Sequence, residues 1–233
     1  MGDPRLRILT VYAHPDDESF GPAAILARWV AGGAQVYGLW FTRGERGQVS
    51  VAPPPEPRQI ARWREQDLRE AAALIGYRSV EILDYADGSL DSIPQDVLES
   101  DVLDRLRGLA PEVVLTFGPA GITRHPDHVA VHRAALAAFD RATAEGLAVA
   151  GLYYDAVLPD AAARLGIANE LDGQPNTSID VTGFEHVKRQ ALAIHARHVV
   201  DAANRLRQLE KHPLLREALF EARNLQQVAL AGL

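Results

Sequence analysis

The chain of 233 residues contains no cysteine. Disulfides, thiolate metal sites and cysteine nucleophiles are thereby excluded, and a reducing compartment suffices for it. It also lacks a dense lysine/arginine cluster: 24 basic residues stand against 31 acidic ones, for a formal charge of −7. Nucleic acid and anionic membranes are therefore disfavoured as principal partners. No stretch approaches the ~18 unbroken apolar residues of a membrane span. The opening "MGDPRLRILTVYA" starts polar, carries Pro4 and has a short apolar run that meets His14, which is not the pattern of a signal peptide. A cytoplasmic protein without a membrane span is the expectation. A chain of this size buries enough surface to fold as one large α/β domain without staples.

What the sequence does have is alternation. "LRILTVYA" (6–13), "QVYGLWFT" (35–42), "SVEILDY" (79–85), "EVVLTFG" (112–118) and "LAVAGLYYDAV" (147–157) read as strands. They are rich in Val, Ile, Tyr, Phe and Trp, and the first and fourth are nearly continuous apolar runs, as strands covered on both faces are. Between them "GPAAILARWVAGG", "PRQIARWREQDLREAAALIG", "PQDVLESDVLDRLRGLA" and "HPDHVAVHRAALAAFDRATAEG" have helical spacing. Gly32-Gly33, Gly76 and Gly146 stand where these helices should stop, and Pro94 near a start. Strand–helix alternation of this kind predicts a Rossmann-like, three-layer α/β/α fold with a mostly parallel sheet.

We read residues 1–233 as a single domain with its core at about 6–157 and a helical C-terminal portion over 184–233, broken near His212-Pro213. The amphipathic "LLREALFEARNLQQVALAGL" reads as a helix on the domain's own flank, with a homo-oligomer contact as the alternative. Residues 165–178 look like an insertion before a short strand "SIDVT". The long Gly/Pro-rich stretch "TRGERGQVSVAPPPEP" (42–57) follows the second strand, and long loops in compact domains are usually lids or disordered segments.

The polar density that a core would reject falls in two places, "AHPDDE" after the first strand and "GITRHPDHVAVH" (121–132) after the fourth. In open parallel sheets the first strand often neighbours the one reached when the strand order reverses, and loops leaving those two strands frame a crevice. That topology would bring His14 and its acidic neighbours against His125, Asp127 and His128. A catalytic zinc takes about three His or Asp/Glu ligands and leaves a place for water. His14 and Asp17 can reach one ion, whereas Asp16, between them, must point elsewhere and stays free beside the attacking water. Pro126 suits a first helical position, which sets His125 near the N-cap and His128 one turn inside. His128 completes a two-histidine, one-carboxylate site for one Zn2+, or another divalent metal, per chain, with His125 approaching substrate from the other side. His132, four residues on, keeps an HxxxH ligand pair open as the alternative.

Together these motifs resemble the LmbE-like, or PIG-L-type, zinc-dependent N-deacetylases that act on N-acetylglucosamine-containing substrates. The resemblance is carried by "AHPDDE" (13–18), "TRGERG" (42–47), "REQDLREAAALIG" (64–76), "LDYADGSL" (83–90) and "HPDHVAVHRAA" (125–135), in the family's order, and more loosely by "KRQALAIHARH" (188–198). It implies zinc held by His14, Asp17 and His128, with Asp16 as general base. It further implies that His125 stabilises the oxyanion or protonates the leaving amine, and that Asp127 orients and charges His125. Arg64, Asp87 and Glu45 match places where relatives contact the substrate, a small-molecule amino-sugar conjugate. The chain departs from relatives at Asp67, where they often carry glutamate, and at Ala196-Arg197-His198, where serine-glutamine commonly follows the histidine.

Other readings stand beside the deacetylase. An amidase of a sugar-linked thiol conjugate uses the same chemistry, and a non-catalytic metal-binding protein, structural or sensing, would use only the ligands. Asp16 and His125 discriminate against the latter, since neither is needed to hold an ion. A nucleotide-binding Rossmann protein is weaker, because HPDD occupies the turn where a Gly-rich phosphate loop would stand.

Overall fold

The computed structural model describes residues 6–159, 162–163, 175–211 and 216–224. Five strands form the parallel portion of the sheet: β1 (Arg7–Tyr12), β2 (Gln35–Thr42), β3 (Ser79–Tyr85), β4 (Val113–Thr116) and β5 (Gly151–Ala156). Two more, β6 (Thr177–Asp180) and β7 (Arg216–Asn224), complete the order β3-β2-β1-β4-β5-β7-β6. From β1 the chain steps outward to β2 and β3, then returns to place β4 on the other side of β1 in the register Ile8↔Val113 and Thr10↔Leu115. The reversal therefore lies between β1 and β4, the pair expected from the sequence. Both are buried along almost their whole length, which explains their unbroken apolar runs.

Helices cover both faces. On one, α4 (Gln95–Leu109) and α6 (Pro126–Ala144) bury Leu98, Val102 and Leu106 against Ala134, Ala135 and Ala138. The alanines on α6 lack the bulk to hold α4 away. On the other, α2 (Ala23–Ala31), α3 (Pro57–Ile75) and α7 (Glu185–His195) contribute Ile25, Trp29, Ala71, Ile75 and Ala191 to a second cluster. A third, small cluster forms where α8 (Val200–Lys211) sets Ala202 and Leu209 against Leu192 and Val199. Among the described residues no helix is long and apolar enough to cross a membrane.

The helical reading of 184–233 holds for α7 and α8 and fails after them: Arg216–Asn224 is strand β7, antiparallel to both β5 and β6. Glu217 and Leu219 alternate onto one buried face, with Glu217 accepting from Lys188 Nζ at 2.7 Å and from Ile25 N at 2.9 Å. Ladder bonds on both edges and this buried face outweigh the helix propensity of a run rich in Ala, Glu, Arg and Leu. Residues 212–215 and 225–233, the rest of the amphipathic tail, lie outside the described residues, as do 165–174 of the irregular stretch. The short strand expected at 178–182 is present as β6, over Thr177–Asp180.

Candidate metal centre and active site

After β1 the chain leaves Tyr12 and turns sharply at Asp16, whose backbone has φ 116 and ψ −21, into the short helix α1 (Asp17–Phe20). Side chains other than glycine rarely adopt that region, at a cost of about 1–3 kcal/mol. The turn is held by Ser19 N and Phe20 N, which donate to Asp16 O at 2.8 and 2.9 Å, and by Glu18 Oε2, which accepts from Asp16 N at 3.1 Å. Its effect is to send the side chains of two adjacent carboxylates in different directions. Asp17 folds back to accept from His14 N at 2.7 Å, while Asp16 Oδ2 pairs with Arg64 Nη2 at 2.8 Å. Arg64 also donates to Gly44 O at 2.8 Å and Pro15 O at 2.5 Å, so the guanidinium is locked.

After β4 the chain passes a short helix, α5 (Gly121–Arg124), with positive φ at Gly121, Ile122 and Arg124. Gly121 is required: a Cβ there would stand 2.5 Å from His128 Cβ. His125 is the N-cap of α6 and its Nδ1 accepts from Asp127 N at 3.2 Å; Pro126 opens the helix. One turn in, His128 stacks on Phe117 with ring centres 4.0 Å apart and donates from Nδ1 to Gly121 O at 3.0 Å.

The two segments meet. His14 Nδ1 and His128 Nε2 are 3.1 Å apart, and Asp17 lies 3.8 Å from the first and 3.4 Å from the second. On its other side His14 Nε2 faces two carboxylates, Asp127 at 3.2 Å and Asp87 at 3.1 Å. A carboxylate accepts, so Nε2 carries a hydrogen, and Nδ1 is the nitrogen that can turn a lone pair to a cation. A carbonyl accepts at His128 Nδ1, so Nε2 there is also a lone pair. With a cation in place of the His14 Nδ1 proton, two lone pairs and a carboxylate would converge, which is the donor set of a divalent cation and suits zinc. Carboxylates behind a ligating histidine are the usual outer support of such a site.

The electrostatics agree. Burial disfavours charge on His14, yet the bonds to Asp127 and Asp87 outweigh it and raise its pKa to about 10. Burial, helped by that neighbouring charge, pushes His128 down to about 3. The pocket accommodates one positive charge at this point and rejects a second. Asp16 is raised to about 6, mainly by burial, with Arg64 opposing and Asp17 reinforcing.

All nine residues singled out in the sequence lie at or beside this point. His125 sits with its ring 4.7 Å from that of His14 and 5.0 Å from that of His128, and nitrogens of all three rings lie within 4.8 Å of one another. Arg64 and Asp87 line a cavity of about 670 Å³ together with His14, Asp16, Asp17 and His128. Glu45 is one step removed, accepting from Asp87 N at 2.8 Å. Asp127 is placed differently from the expectation. Its carboxylate touches His14 rather than His125, because Gly88 N and Leu90 N hold its two oxygens at 2.7 and 2.9 Å in that direction. His132 turns away, with Nδ1 3.0 Å from Phe117 O.

Three features escaped the sequence. Phe117 is the platform under His128. His195 is fully buried with Nε2 2.8 Å from Glu18 Oε1; a carboxylate inside the first motif that needed a partner was the available signal. The stretch 42–57, expected as a lid or a disordered segment, is stitched down: Ser50 N donates to His198 O and Val200 N to Gln48 O, at 3.1 and 3.2 Å. His198 in turn is fixed by Asp67, whose Oδ2 lies 2.6 Å from its Nδ1.

Comparison with known proteins adds the lineage. Residues 9–139 match the family described as GlcNAc-PI de-N-acetylase, PIG-L. The chain is 30% identical to the 1D-myo-inositol 2-acetamido-2-deoxy-alpha-D-glucopyranoside deacetylase of Kineococcus radiotolerans, over 87% of this chain and 72% of that one. The solved structure of N,N'-diacetylchitobiose deacetylase from Pyrococcus horikoshii superposes with a TM-score of 0.69 at 19% identity, covering 94% and 85% of the two chains. The 4-carboxy-2-hydroxymuconate hydratase of Pseudomonas putida does so at 0.72 and 20%, covering 93% and 96%. These two likenesses establish the fold alone, and a hydratase among them shows that the fold does not dictate the reaction. The family match, by contrast, takes in both motifs that meet at His14 and His128, and the chain belongs to the GlcNAc-PI de-N-acetylase (PIG-L) family.

Proposed function

We propose that the protein is a zinc-dependent deacetylase that releases acetate from an N-acetylglucosamine conjugate and leaves a free amine on the sugar. The observation that carries this reading is the convergence of His14 Nδ1, His128 Nε2 and Asp17 with Asp16 left over beside them. Zinc at the first three would supply a Lewis acid for the acetyl carbonyl and lower the pKa of a coordinated water to about 7.

The chain's own residues do the rest. Asp16, buried and raised to about 6, takes the proton of the attacking water; a base with a pKa close to the working pH is worth typically ~100- to 10,000-fold. Arg64 holds Asp16 Oδ2 and leaves the other oxygen for that proton. His125, its ring 4.7 Å from that of His14, offers a hydrogen bond to the developing oxyanion and then a proton to the departing nitrogen. Asp127 and Asp87 fix the tautomer and direction of His14. Asp87 and the stretch around Glu45 are the nearest polar groups for the sugar hydroxyls. A cysteine-free chain needs no oxidising compartment, and we place the reaction in the cytoplasm.

Mere metal storage or sensing leaves Asp16 and His125 without a task, and the strained backbone at Asp16 without a reason. The test is Asp16→Asn with zinc content and acetate release measured on one preparation. Near-stoichiometric zinc with acetate release reduced at least ~100-fold is expected. Full activity in the variant would remove the general base and with it the mechanism. A panel of N-acetylglucosaminides, run with and without a chelator, separates the deacetylase from an amidase of thiol conjugates.

A further inference from the structure

Three consecutive acidic residues, Asp16, Asp17 and Glu18, are buried at the turn after β1. The first two have tasks at the metal centre; Glu18 has none there. Its carboxylate receives three hydrogen bonds instead. Asp16 N donates to Oε2 at 3.1 Å, and Ser19 Oγ and His195 Nε2 donate to Oε1 at 2.6 and 2.8 Å. Donors on every side are the surroundings of an ionised carboxylate. Ser19 is a chain neighbour, whereas His195 arrives from the end of α7, 177 residues on.

His195 is held for this contact. Its carbonyl accepts from His198 N and Val199 N at 3.0 and 2.8 Å, closing the last turn of α7, and Ala191 and Leu192 of the preceding turn enter the second and third apolar clusters. The ring is wholly buried, and its Nδ1 has no hydrogen-bond partner among the described residues. An orphaned buried nitrogen costs about 1–3 kcal/mol, a cost that an apolar side chain in the same space would not carry. Packing therefore does not account for a histidine at this place; a partner for the Glu18 carboxylate does.

The backbone of Asp16 sets what Glu18 achieves with that support. Both peptide planes flanking the Asp16 Cα are pinned. The following plane is held through Asp16 O, which accepts from Ser19 N and Phe20 N; the preceding one is held through Asp16 N, on Glu18, and Pro15 O, on Arg64. Together they impose φ 116, and strained values of this kind persist only where the surroundings over-determine them. That angle decides where the Asp16 carboxylate points. Asp17 is placed by a separate bond, since its own Oδ2 accepts from His14 N.

We propose that His195 is a positioning residue of the reaction: through Glu18 it holds the amide of Asp16 and so keeps the Asp16 side chain turned to the attacking water rather than to the metal. The assignment rests on the deacetylase reading, in which Asp16 is the general base, and adds to it a residue outside the family-matched stretch 9–139.

The test sets His195→Leu, which keeps the bulk and removes the donor, beside His195→Gln, whose Nε2 can reach the same oxygen. In His195→Leu, kcat for acetate release from an N-acetylglucosaminide should fall on the order of 10- to 100-fold, a fraction of the value of a positioned base. KM should stay within about twofold, and zinc should stay near one per chain. His195→Gln should recover most of the kcat. In an Asp16→Asn background, His195→Leu should cost little more, because both act through one carboxylate. Full kcat in His195→Leu overturns the proposal, as does a loss that Gln does not relieve, a loss that multiplies with Asp16→Asn, or zinc that falls in step with kcat. Should His195→Leu fail to fold, His195→Asn, whose carboxamide stops short of Glu18, is read by the same criteria. If wild type releases acetate from no N-acetylglucosaminide, the deacetylase reading is what fails. The brace is then judged from crystal structures of wild type and variant: Asp16 should leave the positive-φ region in the variant, and the same φ in both overturns the proposal.

Discussion

His14 Nδ1 and His128 Nε2 lie 3.1 Å apart across 114 residues of chain, each with its other nitrogen committed to an acceptor. That pairing makes His128 rather than His132 the partner of His14. In His128→Ala, zinc measured by elemental analysis should drop well below one per chain, whereas His132→Ala should retain it. Equal metal in the two variants would place the ligand elsewhere on the helix.

Asp127 separates two accounts of one carboxylate. If it served to orient His125, its loss would lower turnover and leave metal affinity alone. The geometry puts it behind His14, 3.2 Å from Nε2, where outer-shell partners typically sustain affinity by about 10- to 100-fold. Asp127→Ala is therefore expected to weaken zinc binding by that factor in a competition titration with a chromophoric chelator. A variant with unaltered zinc affinity and impaired kcat would restore the first account.

How much of this was legible beforehand follows from which contacts are local. The apolar runs of β1 and β4 betrayed strands covered on both faces, and the reversal between them followed from the topology of open parallel sheets. Once those two strands are neighbours, His14, Asp17 and His128 have nowhere else to meet. Strand β7 was hidden, because Glu217 and Leu219 become a buried face only when β5 offers an edge. The direction of Asp127 was hidden for a similar reason: it is fixed by the amides of Gly88 and Leu90, which arrive from another loop. Burial of His195 depends on Glu18, 177 residues away. Each miss is a side chain whose partner comes from a distant segment with no pattern of its own.

The switch between β1 and β4 has its own pH-dependent brace. Arg7 N and Nη2 donate to Glu112 at 2.7 and 2.8 Å, tying the start of β1 to the residue before β4. Burial alone would raise the Glu112 pKa, but the bonds from Arg7 outweigh it and hold the carboxyl below its ordinary 4.5. A depressed carboxyl stabilises the fold above its unfolded value and loses that contribution as pH falls through the folded one. With about a third of each side chain exposed, the contribution is screened to roughly 1 kcal/mol. Glu112→Gln should thus melt about 2–4 °C below wild type at pH 7, with the gap closing below pH 4. A gap that persists at pH 3 would point to packing instead of charge.

The glycine of the second motif is explained by the proposed general base, Asp16. Gly44 has φ +65, and a Cβ there would collide with the Arg64 guanidinium, which has no room to retreat while it is bonded to Gly44 O, Pro15 O and Asp16. Gly44→Ala should therefore act on turnover by dislodging Arg64 and freeing Asp16, even though Gly44 has no chemistry of its own. We expect Arg64→Ala to lower kcat on the order of 10- to 100-fold, a fraction of the value of a positioned base, with zinc content retained. Gly44→Ala should cost a comparable factor. Because both act through the same carboxylate, the double variant should be little worse than either single one, as coupled neighbours in a double-mutant cycle are. Independent, multiplying losses would mean that Gly44 serves the substrate directly and that Arg64 does not carry its effect.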